Sequence, residues 1–380
     1  MSTVSWKLQN DSLVTGAVAA PGRVNLIGEH IDYHGLPVLP IALRRSIRVS
    51  YHLRPDRLIR AVSSAQYGAR EFTWTADLLP GAAGDWENYL RAAAQTVRRQ
   101  WGLLQGIDAA IVSNLPPAAG LSSSSALIVA FTLALLRANR IEASFEELME
   151  VLPEGEQFVG TRGGGMDHAA SLGSRAGCAS LIGFVPLSIR PIPIPPEWAF
   201  LVAHSLHTAE KSGAVRAEFN ARRTAGTEAL RELGLASYAE VGQAAPPGEP
   251  ARRDAFLHVT SEAQRVRDAV AALERNDAAR FGRLLLESHA SLRDRLKVSC
   301  PPLDRLVAAA MDSGALGARL TGGGFGGCAV VLCHRQDRPQ VRAGLLARFY
   351  AGCAEFDPDQ HLIDAEPGPG ALFPDRESKL

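Results

Sequence analysis

Between residues 47 and 53 apolar and polar positions alternate, with Ile47, Val49, Tyr51 and Leu53 on one side and Arg48, Ser50 and His52 on the other. A period of two predicts a half-buried strand. Short apolar runs at 108–113, 199–204 and 328–333 predict further strands, and periodic stretches at about 86–101, 124–139, 260–275 and 278–294 predict helices. Strands and helices therefore intermix along the whole chain, the pattern of an α+β or split βαβ protein. Five prolines (Pro186, Pro191, Pro193, Pro195, Pro196) exclude a helix interior or a central strand. That stretch is expected to be an edge or a crossing between lobes. Ala244 to Arg252, polar and proline-containing, reads as a surface loop. A chain of 380 residues exceeds a single core at roughly 150 residues per domain, so two lobes are expected, 1–190 and 191–380.

Composition narrows the class of partner. Forty basic residues balance forty acidic ones, which leaves no electrostatic case for a nucleic acid or an anionic membrane and favours a small molecule. Five cysteines without a CxxC pair predict reduced thiols and no structural zinc, as in a cytoplasmic protein. The first residues, Met-Ser-Thr-Val-Ser-Trp, form no apolar leader, and no segment approaches the roughly 20 apolar residues that span a bilayer.

The most informative stretch is Pro116-Pro117-Ala118-Ala119-Gly120-Leu121-Ser122-Ser123-Ser124-Ser125-Ala126, which breaks straight into the apolar run Leu127 to Phe131. The first N–H groups of a helix lack intrahelical partners, and the helix dipole is positive there, so this design suits a phosphate. The serines add donors and candidate magnesium ligands. Serine also caps ordinary helices, but four in a row exceed what a cap needs. No Gly-Lys-Ser/Thr ending is present, which excludes a Walker A loop.

Three further clusters carry chemistry. Around Pro21-Gly22-Arg23-Val24-Asn25-Leu26-Ile27-Gly28-Glu29-His30-Ile31-Asp32-Tyr33, two carboxylates and an imidazole offer acceptors for sugar hydroxyls, a polyol clamp. Gly160-Thr161-Arg162-Gly163-Gly164-Gly165-Met166-Asp167-His168 permits close backbone approach and presents one carboxylate. If Asp167 lies near Arg23, the cation keeps the carboxylate ionised and also offsets charge on a transferring phosphoryl group. The third cluster, Leu320-Thr321-Gly322-Gly323-Gly324-Phe325-Gly326-Gly327, satisfies GxGxxG but leads into the strand-like Cys328 to Leu332 instead of a helix. That excludes a dinucleotide fingerprint and predicts a glycine turn bracing the phosphate loop or closing the site.

The first cluster, the serine loop and the third glycine cluster together resemble the three motifs of the galactokinase family within the GHMP kinases, in the family's order and spacing, over about residues 16 to 372. The resemblance implies a two-lobed α+β GHMP kinase fold, with an N-terminal lobe like ribosomal protein S5 domain 2 and a C-terminal ferredoxin-like lobe. It implies a sugar 1-kinase using ATP and Mg²⁺, acting as a monomer on a small-molecule sugar, with galactose first in line. By motif position, Arg23 and Asp167 match the catalytic pair. Glu29, His30, Asp32 and Gly164 match sugar-binding positions, and Trp86 matches an aromatic beside the adenine. Ala118, Ala119, Gly120, Leu121, Ser122, Ser123 and Ser124 match the phosphate loop, Ser124 being its magnesium-binding serine.

Departures from the family pattern bear on substrate choice. Asp32-Tyr33-His34-Gly35 stands where Asp-Tyr-Asn is usual, Gly163-Gly164-Gly165-Met166-Asp167-His168 replaces Cys-Gly-Ile-Met-Asp-Gln, and Phe219 takes the place of a sugar-contacting tyrosine. Several of these features are similar to the N-acetylgalactosamine kinase branch, which keeps that sugar as the alternative substrate. A non-catalytic sugar and ATP sensor on the same fold is the other alternative. The family's magnesium glutamate aligns with Gly155, flanked by Glu154 and Glu156. Either a neighbour such as Glu156 substitutes, or Ser124 and the nucleotide phosphates hold the metal with water.

Overall fold

In a computed structural model that describes residues 16–116, 120–158, 160, 164–207 and 213–373, the two halves of the chain each build an antiparallel or mixed sheet. The N-terminal sheet contains β1 (Gly16–Ile27), β2 (Leu39–Leu53), β3 (Leu58–Val62), β4 (Ala69–Thr73) and β5 (Ile107–Ser113), in the order β1-β2-β5-β3-β4. Only the β3–β5 pairing is parallel. The alternation at 47–53 is the distal half of β2, whose Ile47, Val49 and Tyr51 are buried. On this sheet lie α2 (Ser123–Ala138) and α4 (Met166–Gly173), and α1 (Glu87–Trp101) and α3 (Phe145–Phe158) pack against these helices and each other. Thirteen of the sixteen residues of α2 are buried, so the helix is apolar all round and forms the centre of its lobe.

β6 (Cys178–Phe184) and β7 (Leu187–Pro193) form a separate two-stranded ribbon. The prolines Pro191 and Pro193 sit in β7, which pairs with β6 alone, as an edge strand that cannot donate must. Beyond it, β8 (Trp198–His204) is followed by α5 (Gly213–Glu232), α6 (Pro250–Glu274), α7 (Ala278–Asp294), α8 (Pro301–Asp312), β9 (Gly317–Thr321), β10 (Cys328–His334), α9 (Arg338–Leu345) and β11 (Leu362–Asp364). The second sheet is antiparallel throughout, in the order β11-β8-β10-β9. Both of its faces are covered. Trp198, Phe200, Val202, Val330 and Leu332 join the large core, whereas Ala199, Leu201, Ala203, Ala329, Val331 and Cys333 pack with α8 and α9.

One helix departs from its predicted start. The pattern places it at 260, yet α6 begins at Pro250, where the Glu249 side chain accepts from the N–H groups of Ala251 and Arg252 at 3.1 and 2.8 Å. Proline at the first position and a carboxylate cap start a helix where charged residues hide any apolar period. Among the described residues no helix is long and apolar enough to cross a membrane.

Candidate active site

Arg23 is aimed by an interruption in β1. The register between β1 and β2 shifts between Pro21 and Arg23, as expected where a proline removes a ladder donor. Gly22 at this kink has no room for a side chain, since a Cβ would lie 2.6 Å from the Leu121 carbonyl. The Arg23 N–H donates to that same carbonyl at 3.2 Å. Its guanidinium donates through Nη1 to the Gly120 carbonyl at 2.9 Å and through Nε to Asp167 Oδ1 at 2.6 Å. The early arginine, the serine loop and the glycine-flanked aspartate thus converge on one point.

Ser122 caps α2 from the left-handed region, with φ of 57°, and its Oγ donates to Asp167 Oδ2 at 2.5 Å. Ser125, at 3.5 Å, completes the donors around that oxygen. Burial pushes the Asp167 carboxyl up, but the Arg23 cation and the Ser122 hydroxyl outweigh it and hold the group below its ordinary value. Asp167 is therefore an anion at neutral pH. Arg23 correspondingly rises, because the attraction of Asp167 and Glu29 exceeds the cost of its own burial.

Asp32 lies within electrostatic reach of Asp167. Its Oδ2 accepts from the Gly164 N–H at 3.2 Å, and a Cβ on Gly164 would fall 2.5 Å from Asp32 itself. Only glycine permits that approach. Burial, then the nearby charges of Asp167 and Glu29, push the Asp32 carboxyl up to about 7. His30 is buried, with Nδ1 2.9 Å from the Tyr33 hydroxyl. Burial lowers it to about 4, so it is a neutral imidazole at physiological pH. Phe219 from α5 packs on its ring at 5.2 Å between centroids and also faces Gly323.

Glu29 behaves differently from the other clamp residues. Its Oε1 accepts from the Gly322 N–H at 2.6 Å and from Thr321 Oγ1 at 3.1 Å and forms an ion pair with Nη2 of the fully buried Arg319 at 2.8 Å, while Oε2 accepts from Asn25 at 2.8 Å. The third glycine cluster is thereby tied to the first. It also adjoins the phosphate loop, for a Cβ on Gly322 would lie 3.4 Å from the Gly120 carbonyl. Of the two roles expected of this turn, bracing the serine loop or closing the site, the approach to Gly120 favours the first, and β9 and β10 form the hairpin on either side.

Sequence reading passed over the seam behind the clamp. Glu262 on α6, wholly buried, accepts from the Gly28 N–H at 2.9 Å, from Ser288 Oγ at 2.7 Å and from Arg265 Nε at 2.7 Å. His258, one turn earlier, has Nε2 3.0 Å from the Glu29 carbonyl. The available signal was a glutamate and a histidine four apart among Val259, Ala263 and Val266 on an apolar helix face. Arg319, in a five-residue strand, gave none.

Other expected positions are accounted for as follows. Trp86 stands at the start of α1, with Nε1 donating to the Tyr67 carbonyl at 2.9 Å and Arg70 over its ring. Gly120 and Leu121 lead into α2, and Ser123 and Ser124 lie in its first turn. Ala118, Ala119 and the side chain of Glu156 lie outside the described residues. A Cβ on Gly155 would meet Thr96 Oγ1 at 3.0 Å and Ile128 at 3.7 Å, on the side packed against α1 and α2. Among the described residues no group of three metal-ligating side chains occurs. An open cavity of about 970 Å³ on the C-terminal half, bordered by His207, Arg305, Asp312, Arg348 and Glu355, contains none of these residues.

Residues 88–175 match the family described as GHMP kinases N terminal domain, 269–351 match GHMP kinases C terminal, and 9–52 match the galactokinase galactose-binding signature. The chain is 38% identical to a galactokinase of Roseiflexus sp. (strain RS-1), over 88% of this chain and 87% of that protein. It is 36% identical to a Bos taurus galactokinase, over 90% and 89%. Lactococcus lactis galactokinase complexed with galactose superposes with a TM-score of 0.85 at 24% identity, covering 94% of this chain and 95% of that one. Mevalonate kinase of L. major shares the fold at a TM-score of 0.66 and 21% identity, covering 94% and 97%.

Proposed function

Since the chain belongs to the galactokinase family of the GHMP kinases, we propose that it transfers the γ-phosphoryl group of ATP to the anomeric C1 hydroxyl of galactose, giving galactose 1-phosphate and ADP. The observation that carries this reading is the contact of Arg23 and Ser122 with one carboxylate, Asp167, at the tip of a helix built to receive phosphate. In it, the N-terminus of α2 receives the phosphates, Trp86 lies against the adenine, and Asp32, His30 and Gly164 hold the sugar ring, with Phe219 and Glu29 behind them.

Phosphoryl transfer through a loose transition state needs alignment and charge stabilisation more than proton abstraction. An Asp167 carboxylate held below its ordinary value is a weak base. Its role is to accept the C1 O–H and point the oxygen at phosphorus, taking the proton as the new bond forms. Arg23 neutralises the equatorial oxygens. Ser124 would hold a magnesium ion beside the ATP phosphates, where the metal would offset their charge. The reading also holds that the chain divides near residue 190, acts as a monomer and works in the cytoplasm, in keeping with its five free cysteines.

The test is ADP release in a coupled assay over galactose, N-acetylgalactosamine, 2-deoxygalactose, arabinose and galacturonate. Galactose is expected to give the highest kcat/KM. Turnover of N-acetylgalactosamine above galactose would replace the substrate, and no turnover of any sugar would leave the chain a sensor.

A further inference from the structure

The clamp turn Asp32–His34 is seated on α5, and the seat is one helix face. Phe219, Arg223 and Gly226 fall at i, i+4 and i+7. Phe219 packs on His30 and, at 5.9 Å, on Tyr33, and the Arg223 guanidinium lies 5.8 Å from the Tyr33 ring. Gly226 receives His34. A Cβ there would lie 2.3 Å from His34 Nε2 and 2.7 Å from Cε1. The imidazole is hemmed in by Tyr33 at 4.7 Å and Tyr238 at 5.0 Å between ring centroids. Tyr238 is itself anchored, its hydroxyl donating to the Gly226 carbonyl at 2.9 Å. His34 therefore cannot step aside without giving up both ring contacts.

Two features rule out a trivial reason for this pairing. Glycine in a helix interior is less stable than alanine, so α5 gains nothing from Gly226 on its own account. Among the described residues the buried Nε2 of His34 has no hydrogen-bond partner, and the contacts recorded for the ring are packing contacts with Tyr33, Tyr238 and Gly226. The imidazole needs the depth that the bare Gly226 backbone leaves.

We propose that Gly226 is a positioning residue for the sugar. By admitting His34 it fixes the turn that carries Asp32, whose carboxylate is otherwise held at the Gly164 N–H. This rests on galactose being the substrate. In Gly226→Ala the galactose KM rises by about tenfold, as expected for a sub-ångström to ångström displacement of a binding group. The ATP KM is unchanged, and the melting temperature falls as His34 gives up its contacts with Tyr33 and Tyr238, a loss that the better helix propensity of alanine offsets only in part. In the double variant with His34→Asn the galactose KM returns to that of His34→Asn alone. A Gly226→Ala enzyme with unaltered galactose KM, or additive effects in the double variant, overturns the proposal. Gly226→Ser repeats the test if the alanine variant fails to fold. Should the unmodified protein not turn over galactose, the substrate reading fails first. Non-additive melting temperatures of the same variants then still support the His34–Gly226 coupling, and additive ones refute it.

Discussion

Two arginine–carboxylate pairs lie close together in this molecule and are built for opposite ends. Arg23 and Asp167 meet at 2.6 Å with side chains 7% and 23% exposed. Arg319 and Glu29 meet at 2.8 Å with 0% and 3%. The first pair borders the serine loop and leaves part of its carboxylate exposed. The second is sealed among Thr321, Gly322, Asn25 and the Leu26 carbonyl, and joins β9 to the end of β1. Under the proposed function the same ion-pair chemistry is a reactive centre where water and substrate reach it and a structural joint where they do not. Glu29 sits in the sugar motif by sequence, yet its donors come mostly from the third glycine cluster, so its carboxylate serves the joint.

The contrast is broken most strongly at the joint. Arg319→Met leaves a buried carboxylate without its cation and is expected to cost about 3–5 kcal/mol of stability, read by urea denaturation. Adding Glu29→Gln recovers part of that. A loss under about 1 kcal/mol would show the pair to be solvated like a surface bridge. At the open pair the effect is kinetic. Asp167→Asn is expected to reduce turnover by about 10²-fold or more while leaving the melting temperature within about 2 °C. Near-normal turnover removes Asp167 from the chemistry.

The smallest effect sharpens the comparison by pH. Asp32 is raised from 3.8 to about 7 by burial and its like-charged neighbours. A folded value above the unfolded one means protonation favours the native state, so that stabilisation is complete below about pH 4 and is lost as pH rises through about 7. Asp32→Asn cannot ionise. It is expected to melt about 2 °C or more above the unmodified protein at pH 8, with the gap closing toward pH 4. A gap independent of pH would mean that Asp32 titrates in its ordinary range.

Much of this site was legible before the fold. The serine run before an apolar helix, the arginine and clamp in one short segment, and a lone carboxylate among glycines are local patterns whose chemistry follows from residue type. The edge role of Pro191 and Pro193 and the rejection of a dinucleotide fingerprint at Gly322 followed from what backbone each residue can adopt. The boundaries that failed, such as the start of α6, failed because a charged first turn carries no apolar period.

What linear reading supplies is the inventory: which groups can bind phosphate, accept a hydroxyl or bend a strand, since these depend on a residue and its near neighbours. It could not say that Glu29 reaches Arg319 across 290 residues, that Glu262 holds the Gly28 N–H, or that Gly226 makes room for His34. Those pairings arise when the core closes and brings distant segments to contact distance, and there burial determines whether a charge is free to react or is spent holding the lobes together.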